Sequence, residues 1–93
     1  MIKNFLDRET EELYRTGKSK KFPPEIWKRA VKKLDMLRRA NSLEDLKIPP
    51  ANKLEALKGD LKGYYSIRIN DQYRIIFRFE SGDVYDVAIV DYH

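Results

Sequence analysis

Gly63-Tyr64-Tyr65-Ser66-Ile67-Arg68-Ile69-Asn70-Asp71-Gln72-Tyr73-Arg74-Ile75-Ile76-Phe77-Arg78-Phe79 is the stretch that decides the fold. Tyr65, Ile67 and Ile69 alternate with Tyr64, Ser66 and Arg68. After Asn70-Asp71 the alternation resumes, with Tyr73, Ile75, Phe77 and Phe79 set against Arg74, Ile76 and Arg78. Successive side chains of a strand point to opposite faces, so this period of two, rich in β-branched and aromatic residues, reads as two half-buried strands joined by a turn. Ser81-Gly82 supplies the next turn and leads into residues 84–90, apolar on both parities apart from Asp86, as a strand in the sheet interior requires.

Upstream the period changes to that of a helix. Ile2 and Phe5 suggest a short opening strand. Asp7 then caps a helix through Glu11, Leu13 and Tyr14 that stops at Gly17. Pro23 and Pro24 suit the first turn of a longer helix, in which Ile26, Trp27, Ala30, Val31, Leu34, Leu37 and Ala40 recur at helical spacing until Asn41. Trp27 on that apolar stripe is a core anchor rather than a base-stacking platform. Ser42 with Asp45 forms a capping-box pattern over a further turn or two, which Pro49 and Pro50 break. The expected architecture is α+β: N-terminal helices packed on one face of a mostly antiparallel twisted sheet, in one domain spanning residues 1–93.

Composition bounds the function. A hydrophobic fraction of 42% with 12% aromatic residues supports a folded core, and the absence of cysteine excludes a disulfide framework or thiolate zinc site. No apolar run approaches the roughly 18 residues that span a bilayer, and the N-terminus lacks an apolar signal core, so a cytoplasmic protein with no membrane partner is expected. The net charge of +4 is uneven. Residues 15–39 carry ten Lys or Arg against Glu25 and Asp35, a local +8, with an excess of negative charge on either side. Such a block attracts phosphate backbones, and Lys20, Lys21, Lys28, Arg29 and Lys32 are the candidate RNA contacts within it.

The sheet contributes more cations. If the apolar parity packs under the helices, Ser66, Arg68, Arg74 and Arg78 turn to the open side, where grouped guanidinium groups repel one another unless an anion relieves them. Lys58 precedes Gly59 in a tight turn. His93, the one histidine, ends the chain after the last strand. Together these groups suggest chemistry on a phosphodiester. His93, Glu55 and Asp91 are the residue types of a carboxylate-rich metal triad, but the arginines and Lys58 oppose a cation, and no metal or cofactor is expected.

Residues 53–60, residues 63–77 and the terminal Val90-Asp91-Tyr92-His93 closely resemble HigB toxins of the RelE/ParE superfamily, a small microbial RNase fold, and the helical half resembles them more loosely. The resemblance implies a toxin of a type II toxin–antitoxin system that cleaves messenger RNA under translation in the ribosomal A site. It also implies a cognate HigA-like helix-turn-helix antitoxin, through which operator DNA is bound. The implied chemistry is metal-free attack of a ribose 2′-hydroxyl on the adjacent phosphate, leaving a 2′,3′-cyclic phosphate and a 5′-hydroxyl. By motif position the family's functional residues fall on Lys58, Arg74, Asp91, Tyr92 and His93, with Glu55 at a further active-site position where some relatives carry histidine. Residue chemistry agrees: Arg74 for the phosphorane charge, His93 as acid or base, Asp91 to orient the imidazole or accept a proton, and Tyr92 to stack on a base. A salt bridge from Arg74 to Asp60 or Asp91 is the structural alternative. The competing functions are a ParE-like toxin that poisons DNA gyrase without hydrolysis, and a nucleic-acid-binding module.

Overall fold

The computed structural model describes residues 1–92. Helix α1 (Arg8–Thr16) opens on Asp7, whose carboxylate accepts from the Thr10 amide at 2.7 Å, and closes at Gly17 in the left-handed region at φ 79°. An N-cap oxygen satisfies an amide that the helix leaves unpaired, and glycine adopts the left-handed conformation without a Cβ penalty. Helix α2 (Pro24–Arg39) begins at the proline pair and ends two residues before Asn41, with Ala40 as its C-cap. Its Ile26, Ala30, Leu34 and Leu37 are buried on one stripe. Trp27 packs partly buried beside them, and its indole donates to the Phe22 carbonyl at 2.7 Å, in keeping with an anchoring role.

Four antiparallel strands follow in spatial order: β1 (Glu55–Ala56), β2 (Tyr65–Arg68), β3 (Tyr73–Glu80) and β4 (Asp83–Asp91). The Asn70 side chain accepts from the Gln72 and Tyr73 amides and so builds the β2–β3 turn. Ser81 and Gly82, at φ 51° and 84°, make the β3–β4 turn with the double positive φ that a two-residue hairpin needs. The N-terminal segment runs parallel beside β4 through the Ile2–Val84 and Phe5–Val87 bridges, so β4 does lie inside the sheet. Ile67, Ile75, Phe77, Val84 and Val87 face the helices and form one core cluster with Leu13, Leu34 and Leu37. Burying such a side chain stabilises the fold by about 1.5–3 kcal/mol.

The opposite face departs from the expectation of an open surface. Between α2 and β2 the chain makes three 3-10 turns, Leu43–Lys47, Pro50–Asn52 and Gly59–Leu61, and lays β1 against β2. The Ser42 capping box forms on the first, with the Asp45 carboxylate accepting from the Asn41 and Ser42 amides. Asn52, fully buried, donates to the Leu46 carbonyl at 3.1 Å and accepts from the Lys33 ammonium, tying this segment to α2. With the segment in place, Ser66, Arg74, Ile76 and Ala88 on the second face are buried rather than open.

Candidate active site

Arg74 is the centre of the second face. The strand registers place Glu55 opposite Ser66 and Arg68 opposite Arg74. Lys53 adopts the left-handed conformation at φ 46°, ends the Pro50–Asn52 turn and directs the chain into β1. As a result its carbonyl accepts from Arg74 Nη2 at 2.6 Å, while Arg74 Nε donates to Ser66 Oγ at 2.8 Å. Both acceptors are neutral. They fix the plane of the guanidinium without cancelling its charge, and they satisfy a group whose burial is costly when unpaired.

Two more exposed side chains cover that cation. Glu55 Oε1 lies 3.6 Å from Arg74 Nη2, and the Tyr92 ring centroid lies 5.3 Å from the guanidinium carbon. The Tyr92 hydroxyl donates to Glu55 Oε1 at 3.3 Å, closing the group. The Arg74 side chain is 9% exposed and that of Glu55 47%, so Glu55 and Tyr92 stand between the guanidinium and solvent. Arg74 therefore forms an ion pair, but with Glu55 rather than with Asp60 or Asp91 as the sequence suggested. Tyr92 covers the arginine face rather than standing free of the sheet.

The remaining predicted residues separate. Lys58 is exposed as the N-cap of the Gly59–Leu61 turn, three positions beyond Glu55 in the chain. Asp91 ends β4 opposite Tyr73, whose ring meets Phe22 edge-on at a centroid distance of 6.1 Å on the helix side. Cross-strand partners share a face, so Asp91 lies on the side away from Arg74, where Gln72 Nε2 donates to its carboxylate at 3.0 Å. His93 lies outside the described residues. Arg68 and Arg78 do not join Arg74 as a bare cationic triad: Arg68 pairs with Asp71, and Arg78 Nε with Asp86 Oδ2 at 3.0 Å. The repulsion expected among the three is relieved by a carboxylate at each. Lys28, Arg29 and Lys32 line a cleft along α2 with Arg68, whereas Lys20 and Lys21 lie in the loop between the helices, Lys21 against the Phe22 ring.

Several participants escaped sequence reasoning. Ser66 and the Lys53 carbonyl carry no signal beyond strand parity, because their partner is fixed by long-range packing. Asp86, at φ 54°, sits where the β3–β4 register shifts between Ile76 and Arg78. Its interruption of an apolar strand was the one visible cue. The Asn4 amide donates to it at 2.8 Å and, with Arg78 and the Tyr64 hydroxyl, holds its carboxyl below the usual carboxylate range against the opposing effect of burial. Burial and then the Asp86 charge push the Tyr64 phenol up.

Two helices on one face of a four-stranded antiparallel sheet is the fold this chain shares with the RelE-like toxins. A solved toxin–antitoxin assembly from Staphylococcus aureus, the heterotetrameric YoeB–YefM complex, contains a chain similar to this one with a TM-score of 0.59 and 27% identity, across 100% of this chain and 95% of that one. Residues 3–93 match the HigB-like toxin family, described as the RelE-like toxin of the type II toxin–antitoxin system HigB, and the chain belongs to it. It is 41% identical over 83 residues to Toxin HigB-1 of Vibrio cholerae serotype O1, covering 88% of this chain and 87% of that protein. Endoribonuclease HigB of Proteus vulgaris is 33% identical over 93 residues, the whole length of both.

Proposed function

We propose that this protein is a ribosome-dependent endoribonuclease that cuts translated messenger RNA in the ribosomal A site and is neutralised by a HigA-like helix-turn-helix antitoxin. The observation that carries the reading is the locked Arg74, a permanent cation held by Ser66 and Lys53 through neutral oxygens and covered by a carboxylate and a phenol. Family membership and the relative named as an endoribonuclease support the reaction class. A fixed guanidinium suits the charge that develops on a phosphorane, because it needs no reorganisation as the charge appears.

In this scheme the substrate phosphate displaces Glu55 from Arg74, and the freed carboxylate accepts the 2′-hydroxyl proton. The 2′-oxygen bonds to phosphorus, the bond to the 5′-oxygen breaks, and His93 donates a proton to that leaving oxygen. In this scheme Asp91, on the opposite face, acts through the chain end rather than by touching the phosphate. Lys58 steadies a neighbouring phosphate. Tyr92 swings from Arg74 to stack on a base of the codon. Arg68, Arg78, Lys20, Lys21, Lys28, Arg29 and Lys32 supply further contacts to RNA phosphates, and operator DNA is reached through the antitoxin. The cytoplasm, where ribosomes work, is the site of action.

Purified protein added to translating ribosomes, with the 5′ ends of the message mapped, tests the reading. Cleavage within A-site codons, lost in Arg74→Ala, is the expected result. Intact message together with inhibited gyrase supercoiling would reject the nuclease in favour of a ParE-like toxin.

A further inference from the structure

On the other side of the 52–53 segment from Arg74, a cleft of about 640 Å³ opens between α2 and the chain around Pro49. Lys28, Arg29, Lys32 and Lys33 from α2 and Arg68 from the end of β2 line it, against the single carboxylate of Glu25. Lys28 with Lys32 and Arg29 with Lys33 are like charges four residues apart on one helix, an arrangement that costs a few tenths of a kcal/mol per pair rather than stabilising it. No salt bridge to a carboxylate is formed by any of the four α2 cations among the described residues. By contrast, Asp35 on the same helix pairs with both Arg38 and Arg39. The fold thus gathers four α2 cations that form no salt bridge among the described residues in one concave place, beside the Asp71-paired Arg68.

Lys33 gives the cleft a floor. It is only 8% exposed, and its ammonium donates to the fully buried Asn52, leaving two further N–H donors. Burial, then Lys32, Arg29 and Arg68 in that order, hold Lys33 below the ordinary lysine range, so an anion arriving there removes an electrostatic penalty. Arg29 spends one donor on the Ile69 carbonyl at 3.2 Å, and among the described residues Arg68 pairs with Asp71, whose side chain is 98% exposed. Met36, Pro49, Ala51 and Ile69 complete an apolar wall. The volume lies within the roughly 300–1,000 Å³ range of small-molecule sites.

We propose that this cleft binds the terminal polyphosphate of a small ligand, a nucleoside triphosphate or an inorganic phosphate chain. A phosphate must enter end-on to reach an almost buried ammonium. A terminal phosphate does so, whereas an internal phosphodiester is esterified on both sides and would drag its strand into the cleft. A terminal phosphate also carries roughly −1.5 to −2 charge against −1 for a diester. The excess of cations over Glu25 calls for several linked phosphates rather than one. The site needs no cleavage activity and leaves the Arg74 centre untouched, but Lys28, Arg29, Lys32 and Arg68 are cations that the nuclease reading gives to RNA phosphates, so the two ligands compete for this cleft.

Isothermal titration of the full chain at low salt, with sodium tripolyphosphate, ATP, orthophosphate and a 5′-hydroxyl hexaribonucleotide, tests it. One-to-one binding of tripolyphosphate or ATP about tenfold or more tighter than orthophosphate is expected, with Lys33→Met weakening it about tenfold. If Lys33→Met does not fold, Lys32→Gln and Arg68→Gln, on the exposed rim, each reduce affinity about threefold. ATP tighter than tripolyphosphate identifies the nucleotide as ligand, and equal affinities identify the phosphate chain. Absence of saturable binding, equal affinity for orthophosphate, or indifference to all three substitutions overturns the site. A hexaribonucleotide that binds as tightly as ATP overturns it also, and marks a backbone groove instead.

Discussion

Arg74 and Arg78 leave the same face of β3 four residues apart, and the fold treats them oppositely. Arg74 is 9% exposed and hydrogen-bonded to a serine hydroxyl and a backbone carbonyl, so its position is fixed while its charge persists. Arg78 is 43% exposed and is neutralised directly by Asp86, itself held by Asn4 and Tyr64. Neutral acceptors produce a presented cation, and a carboxylate produces a structural tie. Glu55 stands between these cases, close enough to screen Arg74 and exposed enough to be displaced.

The largest effect should come from Arg74→Ala. Removing a preorganised donor to a developing oxyanion lowers turnover by about 10²–10³-fold, read as cleavage rate on translating ribosomes. Arg74→Lys should fail to rescue it, because an ammonium cannot hold the Ser66 and Lys53 oxygens and a phosphate together; a variant near wild-type rate breaks the contrast with Arg78. Glu55→Gln keeps an acceptor for Tyr92 but removes the screening charge, so KM should fall several-fold while kcat drops by about 10²-fold if Glu55 is the base. An unchanged kcat assigns that role elsewhere.

Ser66→Ala leaves the cation but frees its plane. Turnover should fall about tenfold with little change in KM, and urea unfolding should report a loss of about 1–3 kcal/mol, the cost of leaving a buried charged donor without its acceptor. Equal losses in stability with unaltered turnover would show Ser66 to be structural only. The smallest effect on turnover should follow Asp86→Asn, which sharpens the contrast from the other side. The Asp86 pKa is lower folded than unfolded, so its contribution is complete above the unfolded value and is lost as pH falls through the folded one. Melting temperature in the Asn variant should therefore decline less steeply on acidification below about pH 4 than in the parent. Matching acid limbs would remove Asp86 as the tie on Arg78.

Much of the fold was legible because its signals are local. The Asp7 cap, the Gly17 stop, the proline pair before α2 and both hairpin turns are each fixed by a few neighbouring residues, and the structure has them all. Parity along residues 63–79 also separated the helix-facing side chains correctly. It did not reveal that the second face would be covered, since residues 42–62 carry little periodicity and their placement depends on Asn52 reaching α2. It likewise left open the side on which Asp91 would lie, because the register shift beside Asp86 is invisible to a count of alternating residues.

By itself the sequence determined an α+β chain with an apolar stripe on α2, two alternating strands, a basic first half and a terminal motif of the HigB kind. Those properties follow from periodicity, capping and charge, which act over a few residues. Only the tertiary structure decided which arginine is fixed mainly by neutral oxygens and which by a close carboxylate. That outcome depends on whether a neutral oxygen or a carboxylate arrives closest from another part of the chain, and the packing that brings Lys53 and Ser66 to Arg74, with Glu55 further off, and Asp86 to Arg78, is what selects between them.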